Sequence, residues 1–333
     1  MKNRKLIFFM PLLLLLFVFS YENTLHDILH ISKYRIVRKV EEIKMHNHIS
    51  HALKLGKLQD EKYAWYTKYH IISHSGGGIN GLCFTNSKEA WEYSYLKGNR
   101  VMDADLNFTT DSILVLMHEW NDNMETSEKA MKESHIWIDR NGSIRFSLHN
   151  NYRQDYETFL RSKIHYVYSP QSVFDMFKFM NEYPDVYVST DMKGYDIESG
   201  YRYLVKAAKQ LGLIAILDRI IVSVYNIEDY KIAKAIYPFK NYSMRQYINS
   251  PHNYYNLIKI CVENEIHVVT LSQCYADDEG AKELLRHGIH VFVAVEDDMA
   301  AYLNYKEQGF SGVISNYLNE DDIKYVLSDI KGN

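Results

Sequence analysis

Cysteine and proline are scarce in this 333-residue chain, three of one and five of the other, beside fifteen glycines. Cys83, Cys261 and Cys274 cannot build a disulfide framework, and none has zinc-ligand spacing. They read as three buried thiols, with one bridge and one free thiol as the alternative. Acids and bases are interspersed and the formal charge is −4, so no basic face is offered to nucleic acid. Apolar and aromatic side chains are plentiful at 47% and 14% of residues, enough for a large core.

Lys2, Arg4 and Lys5 precede an apolar run from Leu6 to Phe19, broken only by Pro11. A basic start and an apolar segment of this length are the pattern of a signal peptide, short of the roughly 20 residues of a full span. Val18-Phe19-Ser20 is a poor cleavage site, so residues 1–21 read as a signal peptide or as a membrane anchor held by residues 6–20. No cysteine follows the run to carry a lipid. The remainder is expected on the extracytoplasmic side, secreted or tethered. Residues 22–65 have apolar positions at roughly helical spacing and read as a helical stalk, with His26, His30, His46, His48 and His51 solvated on it.

From about Tyr66 short β-branched or aromatic runs alternate with amphipathic helical stretches. The strand candidates are Tyr69–Ser73, Arg100–Leu106, Ile113–Met117, Val186–Thr190, Arg219–Val224, Asn241–Arg245, His267–Leu271, His290–Val295 and Phe310–Ser315. Helices are expected over Ser87–Leu96, Ser172–Asn181, Ser199–Leu211 and Glu279–His287, with Gly98, Gly212, Gly288 and Gly309 just past helix ends as caps. This rhythm predicts an α/β fold, a (β/α)8 TIM barrel over residues 66–333. Nine candidates compete for eight barrel positions, so one is an extra. Residues 119–168 form a long polar insertion, placed as a βα-loop over the active face.

Polar residues gather at the C-terminal ends of the early strands, where barrel chemistry is found. His74 follows the first strand, and His118 follows Ile113–Met117. Asp103 and Asp105 are two apart on one strand, and Asp191 and Lys193 on another, so each pair shares a face. Singly, such a histidine is more often bonded to a carbonyl, and such an aspartate caps a helix. Two carboxylates pointing one way inside a closed barrel would repel unless a cation lies between them.

These residues also stand in the order of a known family's motifs: His74-Ser75-Gly76, Asn86-Ser87-Lys88-Glu89-Ala90-Trp91, Asp103-Ala104-Asp105, Thr109-Thr110-Asp111-Ser112, His118-Glu119 and Asp191-Met192-Lys193. Ile221-Val222-Ser223 and the closing stretch Gly309 to Asn316 extend the match. The sequence resembles the glycerophosphodiester phosphodiesterases over about Ile71 to Asn316. The resemblance implies that Asp103, Asp105 and Asp191 bind one divalent cation, Ca2+ or Mg2+, that His74 and His118 are the acid–base pair, and that Lys193 contacts phosphate; within the pair we assign His74 as base and His118 as acid. It implies a phosphodiesterase acting on a glycerophosphodiester, a phospholipid headgroup or a glycerol-phosphate polymer near a membrane. Ser75 departs from the family's arginine, Asp103 and Asp191 from its glutamates, and Asn316 from its closing aspartate. Two other functions remain open, a barrel that only binds glycerol phosphates and a lipid-cleaving phospholipase of the same superfamily. Trp120, Trp137 and Phe146 in the insertion are the candidates for a membrane-facing tip.

Overall fold

A computed structural model of the chain describes residues 55–61, 64–120, 153–165, 167–193, 197–246, 253–276 and 279–332, with Ala52 and the backbone of 136–138 and 144–146. Residues 1–51, which carry the expected signal or anchor and most of the expected stalk, lie outside the described residues. No described helix is long and apolar enough to cross a membrane. The compact unit that carries the barrel takes in residues 55–251 and 256–333.

Its strands are β1 (Ile71–Ser73), β2 (Val101–Phe108), β3 (Leu114–Leu116), β4 (Ile136–Ile138), β5 (Ile144–Phe146), β6 (Tyr187–Met192), β7 (Ile220–Val224), β8 (Asn241–Gln246), β9 (Val268–Ser272), β10 (His290–Ala294) and β11 (Gly312–Ser315). Eight of them pair in parallel in the order β1-β2-β6-β7-β8-β9-β10-β11, and β11 returns to β1 to close a barrel. Runs such as Ile220-Ile221-Val222 and Val268-Val269 are buried throughout, as strands covered on both faces must be. The expected (β/α)8 architecture is therefore present.

The ninth candidate resolves into an accessory strand. Leu114–Leu116 runs antiparallel to the far end of β2, with Leu106 opposite Leu116, and is not a barrel stave. His118 thus follows a side strand, a correction to its placement at the end of a third stave. The insertion behind it contributes the β4–β5 hairpin and helix α3 (Tyr156–Arg161), named after α1 (Trp65–Lys68) and α2 (Lys88–Leu96). Trp120 packs on Phe159 with ring centroids 5.7 Å apart, beside Val115 and Met117, so it belongs to a small satellite core. The side chains of Trp137 and Phe146 lie outside the described residues.

Helix starts follow local chemistry. Ser87 caps α2 by accepting from Ala90 N–H, and Ser172 forms a capping box with Asp175 at the start of α4 (Val173–Glu182). Gly98 and Gly309 end their helices at φ of +87° and +93°, where a Cβ would be strained. Described residues from Leu55 onward, which the sequence reading assigned to the stalk, belong to the barrel unit. Leu58 N–H bonds His287 O at 2.9 Å, and Asp60 meets His290 Nε2 at 2.8 Å. Trp65, 2% exposed, packs on Phe292 at the barrel's N-terminal end. Cys83 and Cys261 are buried, while Cys274 is exposed, contrary to the expectation of three buried thiols.

Glu320 ties the last helix, α10 (Glu320–Gly332), to the first stave. Its buried carboxylate accepts from the N–H groups of His70 and Ile71 and pairs with His70 Nδ1 at 3.2 Å. Burial pushes this carboxyl up, and the bonds from His70 and Ile71 outweigh it, so the net displacement is downward. A lowered folded pKa contributes stability above the unfolded value, and that contribution is lost as pH falls through the folded value. The stability difference between wild type and Glu320→Gln is therefore expected to shrink below pH of about 4.3. Urea melts at stepped pH check this, and a gap that widens with acid would contradict it.

Candidate active site

At the C-terminal mouth of the barrel lies a cavity of about 260 Å3 lined by His74, His118, Asp191, Lys193, Tyr225 and Arg245, with apolar residues of β10 and β11 on one wall. His74 opens a short 3-10 turn after β1, and Ser75 takes φ of +49°, a left-handed conformation uncommon for serine. Ser75 Oγ donates to Asp105 Oδ2 at 2.5 Å. The family's arginine at this position is thus replaced by a group that serves Asp105 from below. Asn86 holds the same aspartate twice, through Nδ2 to Oδ2 at 2.8 Å and by accepting Asp105 N–H at 3.1 Å.

Asp103, Asp105 and Asp191 converge as the strand spacing requires. Asp105 and Asp191 are register partners on β2 and β6, and Asp103 lies one inward-facing position deeper, opposite Ser189. Their company was not anticipated. Arg245 of β8 is 2% exposed and reaches across the interior, with Nη2 on Asp103 Oδ1 and Nη1 3.2 Å from Asp191 Oδ2. Ser223 Oγ and Ser189 Oγ accept from the same guanidinium at 2.9 and 3.0 Å. Lys193 Nζ lies 2.6 Å from Asp191 Oδ2 and 2.9 Å from Asp105 Oδ1, the latter an ion pair directed away from hydrogen-bond alignment. Tyr225 Oη donates to Asp191 Oδ1 at 2.6 Å.

The charges answer one another. Burial pushes Asp105 up, but Lys193 and the two imidazoles overcome it and hold the carboxyl well below its ordinary value. Burial likewise opposes Lys193, and Asp105 with Asp191 raise it well above the ordinary lysine range. Asp191 is held down by Arg245 and Lys193 against its burial. Asp103 goes the other way. Burial raises it more than Arg245 lowers it, and its Oδ2 has no hydrogen-bond partner.

The two imidazoles flank Phe84, packing edge-on against it with centroids 4.6 Å away for His74 and 5.3 Å for His118. Burial lowers the pKa of His118. Behind His74 runs a relay. Asn316 Nδ2 donates to Asp297 Oδ2 at 2.9 Å, which leaves Asn316 Oδ1 facing His74 Nδ1 at 2.9 Å. His74 therefore carries its proton on Nδ1 and presents Nε2 elsewhere. Asp297 is itself fixed by Ser315 Oγ and the Asn316 N–H, both at 2.7 Å. Asn316→Leu removes the acceptor for His74 Nδ1–H and should lower the rate through misorientation, while Asn316→Asp keeps an acceptor there and should retain more of it; equal rates in both variants and the wild type would exclude the relay.

The resemblance implied a divalent cation on Asp103, Asp105 and Asp191. Arg245, Tyr225, Ser75, Asn86 and Lys193 engage four of their oxygens by hydrogen bonds; Asp105 Oδ1 has only the Lys193 ammonium at 2.9 Å, and Asp103 Oδ2 has no partner. Calcium takes six to eight oxygen ligands and magnesium an octahedron. Among the described residues no group of three or more His, Cys, Asp or Glu is placed to hold a metal ion. This donor set does not fit the cation.

Arg245, Tyr225 and Asp297 were not singled out from the sequence. A signal for Arg245 existed, a basic residue in phase with Ser243 on the interior face of a barrel strand. Tyr225 and Asp297 carry no local motif.

Fold and site together define a (β/α)8 barrel with two imidazoles, the buried Arg245 and the half-buried Lys193 at its C-terminal mouth. No family model matches the chain, and no curated protein matches it. Solved structures do. A glycerophosphodiester phosphodiesterase from Parabacteroides distasonis is similar over 78% of this chain and 98% of its own, at TM-score 0.58 and 14% identity. A second enzyme of that description from the same organism covers 86% of this chain and 92% of its own, at TM-score 0.56 and 13% identity. An Oleispira antarctica phosphodiesterase, solved with the product sn-glycerol-3-phosphate, covers 78% and 97%, at TM-score 0.57 and 14% identity. The chain has the barrel fold of glycerophosphodiester phosphodiesterases of known structure.

Proposed function

We propose that this protein is a phosphodiesterase that cleaves glycerophosphodiesters by acid–base catalysis between His74 and His118. The observation that carries the reading is the convergence of both imidazoles with Lys193 and Arg245 on one cavity. Binding a glycerol phosphate needs the two cations and gains nothing from a second imidazole. Cleavage needs both histidines, one to take a proton from the attacking water and one to protonate the leaving alkoxide. We assign the two roles in the opposite sense to the sequence reading: burial of His118 favours the neutral form, which accepts a proton, so His118 is the base. His74, with Asn316 and the Asp297 carboxylate behind its Nδ1–H, is the acid. Lys193 and Arg245 face the non-bridging oxygens, where charge develops on phosphorus. No step is routed through a divalent cation.

The fold likeness and the bound product of the Oleispira enzyme support a glycerol-bearing diester. The basic and apolar start of the chain supports a site of action outside the cytoplasm, beside membrane lipid or a wall polymer. A reporter active only outside the cytoplasm, fused after Asn333, should be active; a silent one beside an active cytoplasmic reporter would overturn the location. For the activity, the full chain is incubated with glycerophosphocholine, glycerophosphoinositol, a lysolipid and a glycerol-phosphate polymer, and the released alcohol is measured. Release from at least one supports the proposal. Binding of glycerol phosphates without release from any would make the barrel a binding module.

A further inference from the structure

We infer that the buried guanidinium of Arg245 takes the place of a divalent cation, so that this site acts on its phosphodiester without metal. The inference rests on the phosphodiesterase reading for its substrate, but its structural half stands on Arg245 itself.

Arg245 projects from β8 into the barrel and is anchored by two hydroxyls as well as two carboxylates. Ser223 and Ser189 accept from it at 2.9 and 3.0 Å, while Asp103 and Asp191 supply its counter-charge. Two serines from neighbouring staves fix the plane of the guanidinium and serve no cation. The group is permanently charged, and its position is set by packing rather than by exchange with solvent. A divalent ion among the same aspartates would have to displace both Arg245 and Lys193, or stand beside two positive charges in a buried site. Four of the six carboxylate oxygens accept hydrogen bonds from protein groups, and Asp105 Oδ1 faces the Lys193 ammonium at 2.9 Å. That leaves only Asp103 Oδ2 without a cation or donor beside it, too few ligands for calcium or magnesium.

The arrangement also accounts for Ser75. Where the family's motif places an arginine after the first histidine, this chain has a serine, whose hydroxyl goes to Asp105. The guanidinium on the cavity's lining comes instead from the opposite side of the barrel, where it meets a phosphate and neutralises Asp103 at the same time. Serine at one position and arginine at the other are two halves of one exchange.

Two measurements on the full chain test this. The first is diester cleavage in EDTA and then with added Ca2+, Mg2+ or Mn2+. The expected result is no loss of rate in EDTA and no gain from any of the ions. A rate lost in EDTA and restored by Ca2+ overturns the inference while leaving the phosphodiesterase reading intact. The second is calorimetric titration of the same three ions, which requires no turnover. No binding to wild type is expected, and a single site that disappears in Asp103→Asn overturns the inference whether or not any diester is cleaved. Arg245→Met frees Asp103 and Asp191 and should lose roughly 10²–10³-fold in rate, the effect of removing one fixed donor to the developing charge. It should also gain a Ca2+ site that wild type lacks. Should that variant fail to fold, the two wild-type measurements still decide.

Discussion

His74→Ala and His118→Ala are each expected to lower turnover of a glycerophosphodiester by roughly 10²–10⁴-fold, the usual contribution of one general acid or base. Neither change should unfold the barrel, because both side chains line the cavity and the hydrogen bonds of the staves do not depend on them. The two variants should part company on a nitrophenyl phosphodiester. Its leaving group needs little protonation, so the variant lacking the acid recovers much of its rate and the variant lacking the base does not. With His118 as base, recovery belongs to His74→Ala. Recovery of His118→Ala would make His74 the base, as first assigned from the sequence, and full activity in both variants on every substrate would remove the two-histidine mechanism.

The largest stability effect is expected at Arg245. Removing it leaves Asp103 and Asp191 buried with less of their counter-charge, and breaking a buried pair in this way costs about 3–5 kcal/mol. Arg245→Met should show that loss in urea melts with an unchanged m-value. The double variant Asp103→Asn/Arg245→Met should recover part of it, because the orphaned charge is removed along with its partner. A single variant as stable as wild type would mean that the ion pair contributes nothing net to folding.

The barrel was legible from the alternation of strand and helix patterns, and the stave boundaries fell within a few residues of the structure. The accessory strand was not. Ile113–Met117 has the same β-branched, apolar character as a stave, and only its antiparallel pairing with β2 tells the two apart. At the site, Asp103, Asp105, Asp191 and Lys193 were legible because period two puts each pair on one face. Their neutralisation by protein cations was not, since Arg245 lies 142 residues from Asp103 and its role exists only once the barrel closes. The Asp297–Asn316–His74 relay is hidden for the same reason. Asn316 looked like a departure from a motif, and its amide is what turns one oxygen toward an imidazole while its nitrogen meets a carboxylate.

Phosphorus NMR of a glycerophosphodiester incubated with the full chain tests the central claim most directly. The diester resonance should give way to that of a phosphomonoester, at a rate unaffected by EDTA, and should persist when His74 and His118 are both replaced by alanine. A diester untouched by wild type across the substrate panel, or conversion that survives loss of both histidines, would contradict the account.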